Sequence, residues 1–394
     1  MLESAIIRKQ SQGTLAADPG LLAETLLFYG KVHIIANRGP LGALLQSIGP
    51  DIIIELIDAG ELSITFIQNV PAVFNNTLNG ITSHKLTFLR IAAAEGRKLS
   101  PSDEIRQIFD RALGKSRQTR RAAERLIPKI AKRQSLLPCD DQDILDQTGS
   151  DIRNKAFVRR AVYEAISAEA PEYEFPPDWE FELFIGDNEF FIHTNINWAD
   201  VNASYNKRIP PEHSELTPSY VINFLLDAEI ELRVAAGYAA DMVTTEAISR
   251  IMQIKMKDIL RSRQRSSEQI DLFTTTQLDG AFSIREAINS GERSFSEFMT
   301  ILKKARRFKS WLRSVNPDSN LLDQYYRAST ANSWIQSLPG KILRFTGVSA
   351  IDAMAGGGTG IIAGAADSFV LEKLLGGWRP CHFVNGPLKR FVHG

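Results

Sequence analysis

Two β-rich runs, "KVHIIAN" at residues 31–37 and "ELSITFIQ" at 61–68, flank a stretch of helical character, "PLGALLQSIGPDIIIELIDAG", at 40–60. This spacing constrains the fold more than any other feature of the chain. Parallel strands cannot be joined by a tight turn. They need a crossover of a dozen residues or more, usually a helix. The interval predicts a strand–helix–strand unit over 31–68, with "HII" and "ITF" side by side in one sheet. Gly49-Pro50 breaks the helical stretch, and Gly60 suits a helix C-terminus.

A second β signal lies at 172–198. "WEFELFI" and "EFFIHTNI" are joined by Gly186-Asp187-Asn188, which is turn chemistry. Two strands alone are marginal, so this hairpin is expected to pair with others or to pack on helices. Residues 83–135 read as helices. From Thr217-Pro218, an N-cap followed by proline at the first helical position, the pattern reads as helical to about Leu260, with bends at Gly237 and Thr244-Thr245. Ser294 and Glu297 match a capping box before "FMTILKKARRFKSWL". Further helical segments cover 320–337 and 365–375. The expected fold is α+β and predominantly helical: a small N-terminal βαβ unit, a central β-hairpin and a helical C-terminal half. The expected division is 1–138 (the α/β unit with basic helices), 139–216 (an acidic linker and the hairpin region) and 217–394 (a helical domain with a Gly-rich segment).

A chain of 394 residues, 44% hydrophobic, buries a sizeable core without disulfides. Its two cysteines, Cys139 and Cys381, lie far apart and suit a reducing compartment. No basic-then-apolar leader and no long uncharged apolar run is visible, so the expected location is cytoplasmic.

The 46 basic and 46 acidic residues cancel, so global charge points to no partner. Local charge does. Within 106–133, Arg106, Arg111, Lys115, Arg117, Arg120, Arg121, Arg125, Lys129, Lys132 and Arg133 are offset only by Asp110 and Glu124. Cations on adjoining helices can track a phosphate backbone. Phe109 is the lone aromatic there, so base stacking is not expected. Arg117, Arg120, Arg121, Arg125, Lys129, Lys132 and Arg133 are the candidate contacts to nucleic acid or to a protein partner. Asp140, Asp141, Asp143, Asp146 and Asp151 come next in the chain and offer the alternative, neutralisation within it.

Residues 353–375, "AMAGGGTGIIAGAADSFVLEKLL", carry the densest run of glycine. Gly356, Gly360 and Gly364 recur at a spacing of four, which places them on one helical face. With Gly358 they are the candidates for a close helix contact or a cofactor loop. "SAIDAMAGGGTG" at 349–360 resembles the glycine-rich motif of adenosylmethionine-dependent methyltransferases, which implies a methyl-donor loop. That family's catalytic Asp/Asn-Pro-Pro-aromatic motif is unmatched, because Phe175 in "FPPDW" and Ile209 in "IPPEH" stand where the acid or amide belongs. Gly358, Gly360 and Ala363 satisfy a dinucleotide fingerprint, but no acidic residue follows Glu372 to hold a ribose. The expectation is a helix contact, and no cofactor. A membrane-active segment over 345–366 is the remaining reading, since Asp352 is the only charge between Arg344 and Asp367.

No two of the six histidines sit at H-x-H or H-x-x-x-H spacing, and no C-x-x-C or G-x-S-x-G sequence occurs. No metal site is expected, and no catalytic residue is assigned. Cys381-His382 reads as packing or surface. Asp227, Glu229 and Glu231, with Asp241 beyond, read as acids on an exposed helix face. The expected function is an interaction or effector protein without a recognisable catalytic site, with a protein partner or a second copy, and with nucleic-acid contact through 106–133. The alternatives are a nucleic-acid-acting enzyme (a divergent methyltransferase or nuclease) with a site assembled from distant residues, and a membrane-active effector.

Overall fold

The computed structural model of the chain describes residues 3–8, 18–90, 99–133, 141–186, 189–207, 215–238, 240–262, 275–277, 282–314, 341–343 and 383–393. The fold is α+β and rich in helix, with a mainly parallel sheet and a separate antiparallel one.

The strand–helix–strand unit forms as its spacing predicts. Strand β2 (Lys31–Ala36) lies parallel to β3 (Leu62–Ile67), with Ile34 opposite Ile64 and Ile35 opposite Thr65. The crossover is two helices, α2 (Arg38–Ile48) and α3 (Pro50–Asp58), bent by 97° at their break. Gly49 sits there at φ 80°, and Gly60 follows α3 at φ 75°; both angles favour glycine. On the near side of β2, β1 (Ser4–Arg8) is parallel and connects to it through α1 (Pro19–Phe28). Beyond β3, β6 (Ala131–Arg133) extends the sheet. It follows α4 (Pro101–Leu113) and α5 (Arg117–Leu126) in the chain.

The chain then makes α6 (Asp141–Arg153) and α7 (Lys155–Glu169), a hairpin β7 (Phe181–Ile185) and β8 (Phe190–Thr194), α8 (Trp198–Tyr205) and α9 (Pro218–Tyr238). It returns as β9 (Asp241–Thr244), parallel to β1 on the side away from β2. The region expected to bend at Thr244-Thr245 is therefore a strand, and α10 (Glu246–Ser262) begins after it. Two short antiparallel strands, β10 (Thr275–Gln277) and β11 (Lys341–Leu343), complete the order β10-β11-β9-β1-β2-β3-β6. One sheet thus takes strands from all along the chain.

Residues 69–90 depart from the helical reading that began at 83. They form a long hairpin of β4 (Asn69–Leu78) and β5 (Ile81–Arg90). Asn79 and Gly80, at φ 52° and 78°, make the two-residue turn for which Asn-Gly is the strongest signal. The alternation in "TSHKLTFLR" has period 2, not 3.6. The 181–194 hairpin joins this one through His84 and Phe190, giving a four-stranded sheet ordered β4-β5-β8-β7.

Helices cover both faces of the large sheet. Ala5, Ile7, Val32, Ile34, Leu62 and Ile64 pack with α1–α5, with helices Phe282–Asn289, Phe295–Lys304 and Arg306–Ser314, and with the C-terminal helix Lys389–His393. Ile6, Ile35, Ile67 and Met242 point the other way, onto α6, α7, α9, α10 and the antiparallel sheet. The capping box holds: Ser294 and Glu297 close the start of Phe295–Lys304. Ala305 ends that helix, so "FMTILKKARRFKSWL" is two helices.

A close helix approach occurs at Gly20 of α1. A Cβ there would stand 2.4 Å from the Arg285 carbonyl oxygen. Gly356, Gly358, Gly360 and Gly364 lie outside the described residues, as do the segments 320–337 and 365–375.

Candidate nucleic-acid interface

The basic segment is shaped by two capped helices. Ser100 accepts from the Asp103 amide to start α4, and Gly114 at φ 77° ends it. Ser116 then accepts from the Thr119 amide to start α5. Ile105, Ile108 and Phe109 of α4 and Ala122, Ala123 and Leu126 of α5 turn inward. The helical period therefore turns the long cationic side chains outward.

Neutralisation divides them. Arg106 pairs with Asp103 at 2.9 Å and Arg125 with Asp51 at 3.0 Å, and Lys129 pairs with Asp58. Lys132 donates to the carbonyls of Ile127 and Ile130 at 2.7 and 3.2 Å. Arg133 lies over the Tyr238 ring, 5.7 Å from its centroid. Arg111, Lys115, Arg117, Arg120 and Arg121 are exposed and make no ion pair among the described residues. Of the seven candidates, Arg117, Arg120 and Arg121 are thus left for a partner, and Arg125, Lys129, Lys132 and Arg133 are engaged. The acids that meet Arg125 and Lys129 come from α3, not from the acidic block C-terminal to the basic segment. Asp151 of that block pairs with Lys255 instead.

Arg111 also lines a cavity of about 580 Å³ at the carboxyl ends of β2 and β3. Asn37 follows β2 directly and caps α2 by accepting from the Gly39 amide at 3.2 Å. The amides of the first turn and the helix dipole make such an end favourable to anions. Arg38 reaches Glu104 at 3.3 Å, and its Nε is buried without a hydrogen-bond partner among the described residues. Glu104 accepts from Gln68 at 2.8 Å, and Gln68 accepts from Arg90 at 3.0 Å. One carboxylate thus stands between Arg38 and the chain of polar groups behind it, while Arg111 has no ion pair among the described residues. Gln46 of α2 donates to the Ala112 carbonyl at 3.3 Å and ties the two walls together. Open α/β sheets bind ligands at this edge. Sequence reasoning missed Arg38 and its surroundings because 40–60 was read only as a crossover. The available signal was a β-run ending at an N-cap asparagine.

The acids of α9 are buried, contrary to their reading as a solvated face. Arg8, Asp227 and Glu231 are 2%, 1% and 0% exposed. Arg8 pairs with Asp227 and stands 3.5 Å from Glu231. Glu229 pairs with Arg233 at 2.5 Å and with Lys255 at 2.6 Å. Asp241 accepts from the Tyr29 hydroxyl at 2.9 Å. The reason is legible in α9 itself, which is apolar nearly all round, and such a helix is buried. Burial pushes the Glu231 carboxyl up to about 8, against the pull of Arg8.

One Ser–His contact occurs, between Ser63 and His33 Nδ1, with Tyr238 5.3 Å from the imidazole. Burial, and then Lys31, push His33 down to about 4, so the ring is neutral. No carboxylate contacts it among the described residues, so the third member of a triad is missing there. Cys139, Cys381, His382 and His213 lie outside the described residues. Among the described residues no group of three His, Cys, Asp or Glu side chains is placed to hold a metal ion, and no single helix is long and apolar enough to cross a membrane.

The antiparallel sheet turns one face to the core and leaves the other apolar and open. Val73, Leu86, Phe88, Leu183 and Ile192 pack inward. Phe74, Leu78, Ile81, Leu89, Phe184 and Phe191 point out, and Leu78 is 70% exposed. No family model matches the sequence, and no curated protein and no solved structure matches it either.

Proposed function

We propose that this chain is an interaction protein that binds the phosphodiester backbone of nucleic acid through α4, α5 and the adjoining cavity. The carrying observation is the set of five exposed cations, Arg111, Lys115, Arg117, Arg120 and Arg121, left without acidic partners among the described residues while their neighbours Arg106, Arg125 and Lys129 are paired. Unpaired cations on a rigid surface displace the counterions condensed on a polyanion, and that release drives binding. The cavity at the α2 N-terminus supplies amides, Arg38 and Arg111 for a single phosphate at the end of this track. Aromatic side chains are scarce on α4 and α5, so the expected contact is to backbone and independent of base sequence.

The test is fluorescence anisotropy with labelled duplex DNA and RNA over a salt series. Five phosphate contacts on duplex DNA imply a slope of log K against log salt of about −4 to −5. The variant Arg117→Gln/Arg120→Gln/Arg121→Gln should weaken binding and reduce the slope by about 2–3. Arg125→Gln, at a position already paired with Asp51, should change it less. Undetectable binding at low salt refutes the proposal. Binding to polyglutamate with none to DNA or RNA identifies the surface as a dock for an acidic protein instead.

A further inference from the structure

A second cationic site lies on the opposite side of the large sheet, between α7 and α10, and it owes nothing to α4 and α5. Arg159, Arg160, Tyr163 and Glu164 of α7 face Arg250, Gln253 and Lys257 of α10 across a groove of about 500 Å³, the size of a small-molecule site. The spacing of three and four puts each set on one helical face. Among the described residues Glu164 is the only carboxylate in the lining, and it is already met by Arg250 at 3.1 Å. Arg250 is held from the other side by Glu246 at 2.5 Å. The fork is therefore fixed and its charge cancelled. Arg159 and Lys257 are exposed and have no ion pair among the described residues.

The floor is aromatic. The Arg159 guanidinium lies over the Trp179 ring, 4.3 Å from its centroid. Trp179 packs on Phe175 at 4.9 Å, and Phe175 on Tyr163 at 5.0 Å. Tyr163 keeps 47% of its surface exposed. A guanidinium held over a buried indole can offer its other face to a planar ring, which stacks on it. Excess positive charge beside two flat surfaces selects an anion that carries a planar ring.

We propose that this groove binds a nucleoside phosphate, with the base against Tyr163 and the Arg159 guanidinium and the phosphate toward Lys257. Such a ligand exists as a free nucleotide or at the end of a strand. The test is calorimetric titration of the full chain with adenosine and guanosine mono- and triphosphates, with a short 5′-phosphorylated oligonucleotide, and with inorganic phosphate. The free nucleotides should bind with Lys257→Gln weakening them about tenfold or more, the loss of one charge-assisted hydrogen bond. Tyr163→Ala should weaken nucleotides and leave inorganic phosphate unchanged. Both positions are exposed, so both variants are expected to fold, and thermal unfolding checks this. Trp179 emission should change on binding, and the change should vanish in Trp179→Phe. Tighter binding of the oligonucleotide than of the mononucleotides, still sensitive to Lys257→Gln, names a strand end as the source. The α5 triple variant should retain nucleotide binding, which separates this site from the backbone surface. The proposal is overturned if no nucleoside phosphate binds at low salt, if Lys257→Gln and Tyr163→Ala both bind like the parent, or if inorganic phosphate binds as tightly as the nucleotides.

Discussion

Arg8, the last residue of β1, and Asp227 of α9 are 219 residues apart in sequence and form an ion pair almost wholly withdrawn from water. Alternation along β1 sets this up. Ala5 and Ile7 face one helical layer, and Ile6 and Arg8 face the other, where α9 lies. Strand β9 runs beside β1, and Thr244 at its end lies in the surroundings of Glu231. The pair therefore sits where the strand order reverses and ties the first strand of the chain to a helix of its second half.

Arg8→Met should be strongly destabilising. It leaves the Asp227 carboxylate buried without its cation, a loss of about 3–5 kcal/mol. Urea unfolding reads it as a drop in midpoint. A variant within about 0.5 kcal/mol of the parent would mean that water reaches the pair.

Stability should fall as pH rises between about 4.5 and 8. Glu231 titrates at 4.5 when exposed and at about 8 in the fold. In that window the folded state holds a proton that the unfolded state has lost, so its contribution is full below pH 4.5 and gone above 8. Burial accounts for most of it, and the neighbouring Asp227 charge adds to it against the pull of Arg8: Asp227 takes the ion pair and Glu231 keeps the proton. Glu231→Gln should reduce the dependence in unfolding curves taken across the window, the remainder coming from Glu24, whose carboxyl burial also pushes up to about 8. An unchanged slope assigns it to other groups.

Gly20→Ala should destabilise by about 1–3 kcal/mol or more, although alanine is the better helix former. The added methyl would meet Arg285 backbone atoms at 2.4 and 2.7 Å and Asn289 Oδ1 at 2.8 Å. Asp18 also takes Arg285 at 2.6 Å and Asn289 at 2.9 Å at this crossing, so the helices cannot easily separate. A gain in thermal midpoint would show that they do.

Asn202→Ala should remove about 2–4 kcal/mol, because it strands a buried N–H and a buried C=O. Asn202 accepts from the Leu216 amide at 2.7 Å and donates to the Leu216 and Trp198 carbonyls at 2.9 and 2.8 Å. This one amide anchors the approach to α9 against α8. Faster hydrogen exchange at Leu216 in the variant is the local check.

Legibility in the sequence was local. The crossover over 31–68, the 172–198 hairpin, the capping box at Ser294 and the basic face of α4 and α5 are each set by residues within a few turns of one another, where periodicity, caps and turn residues act. The Asn79-Gly80 hairpin carried its signal too, but helical periodicity further on masked it. Position in the tertiary structure was not legible. Four residues, Asp241–Thr244, become a strand because β1 offers an open edge, and nothing near them in the chain says so. The apolar girth of α9 foretells its burial, but not that Arg8 and Lys255 arrive from remote segments to meet its acids. The basic face divides in the same way. Sequence alone determined that α4 and α5 would present a cationic surface. Only the tertiary structure decided that Asp51 and Asp58 would neutralise Arg125 and Lys129 and leave Arg117, Arg120 and Arg121 without an ion pair among the described residues. The physical reason is distance: a charge is cancelled by opposite charges within a few ångströms of it in space, not by its neighbours along the chain.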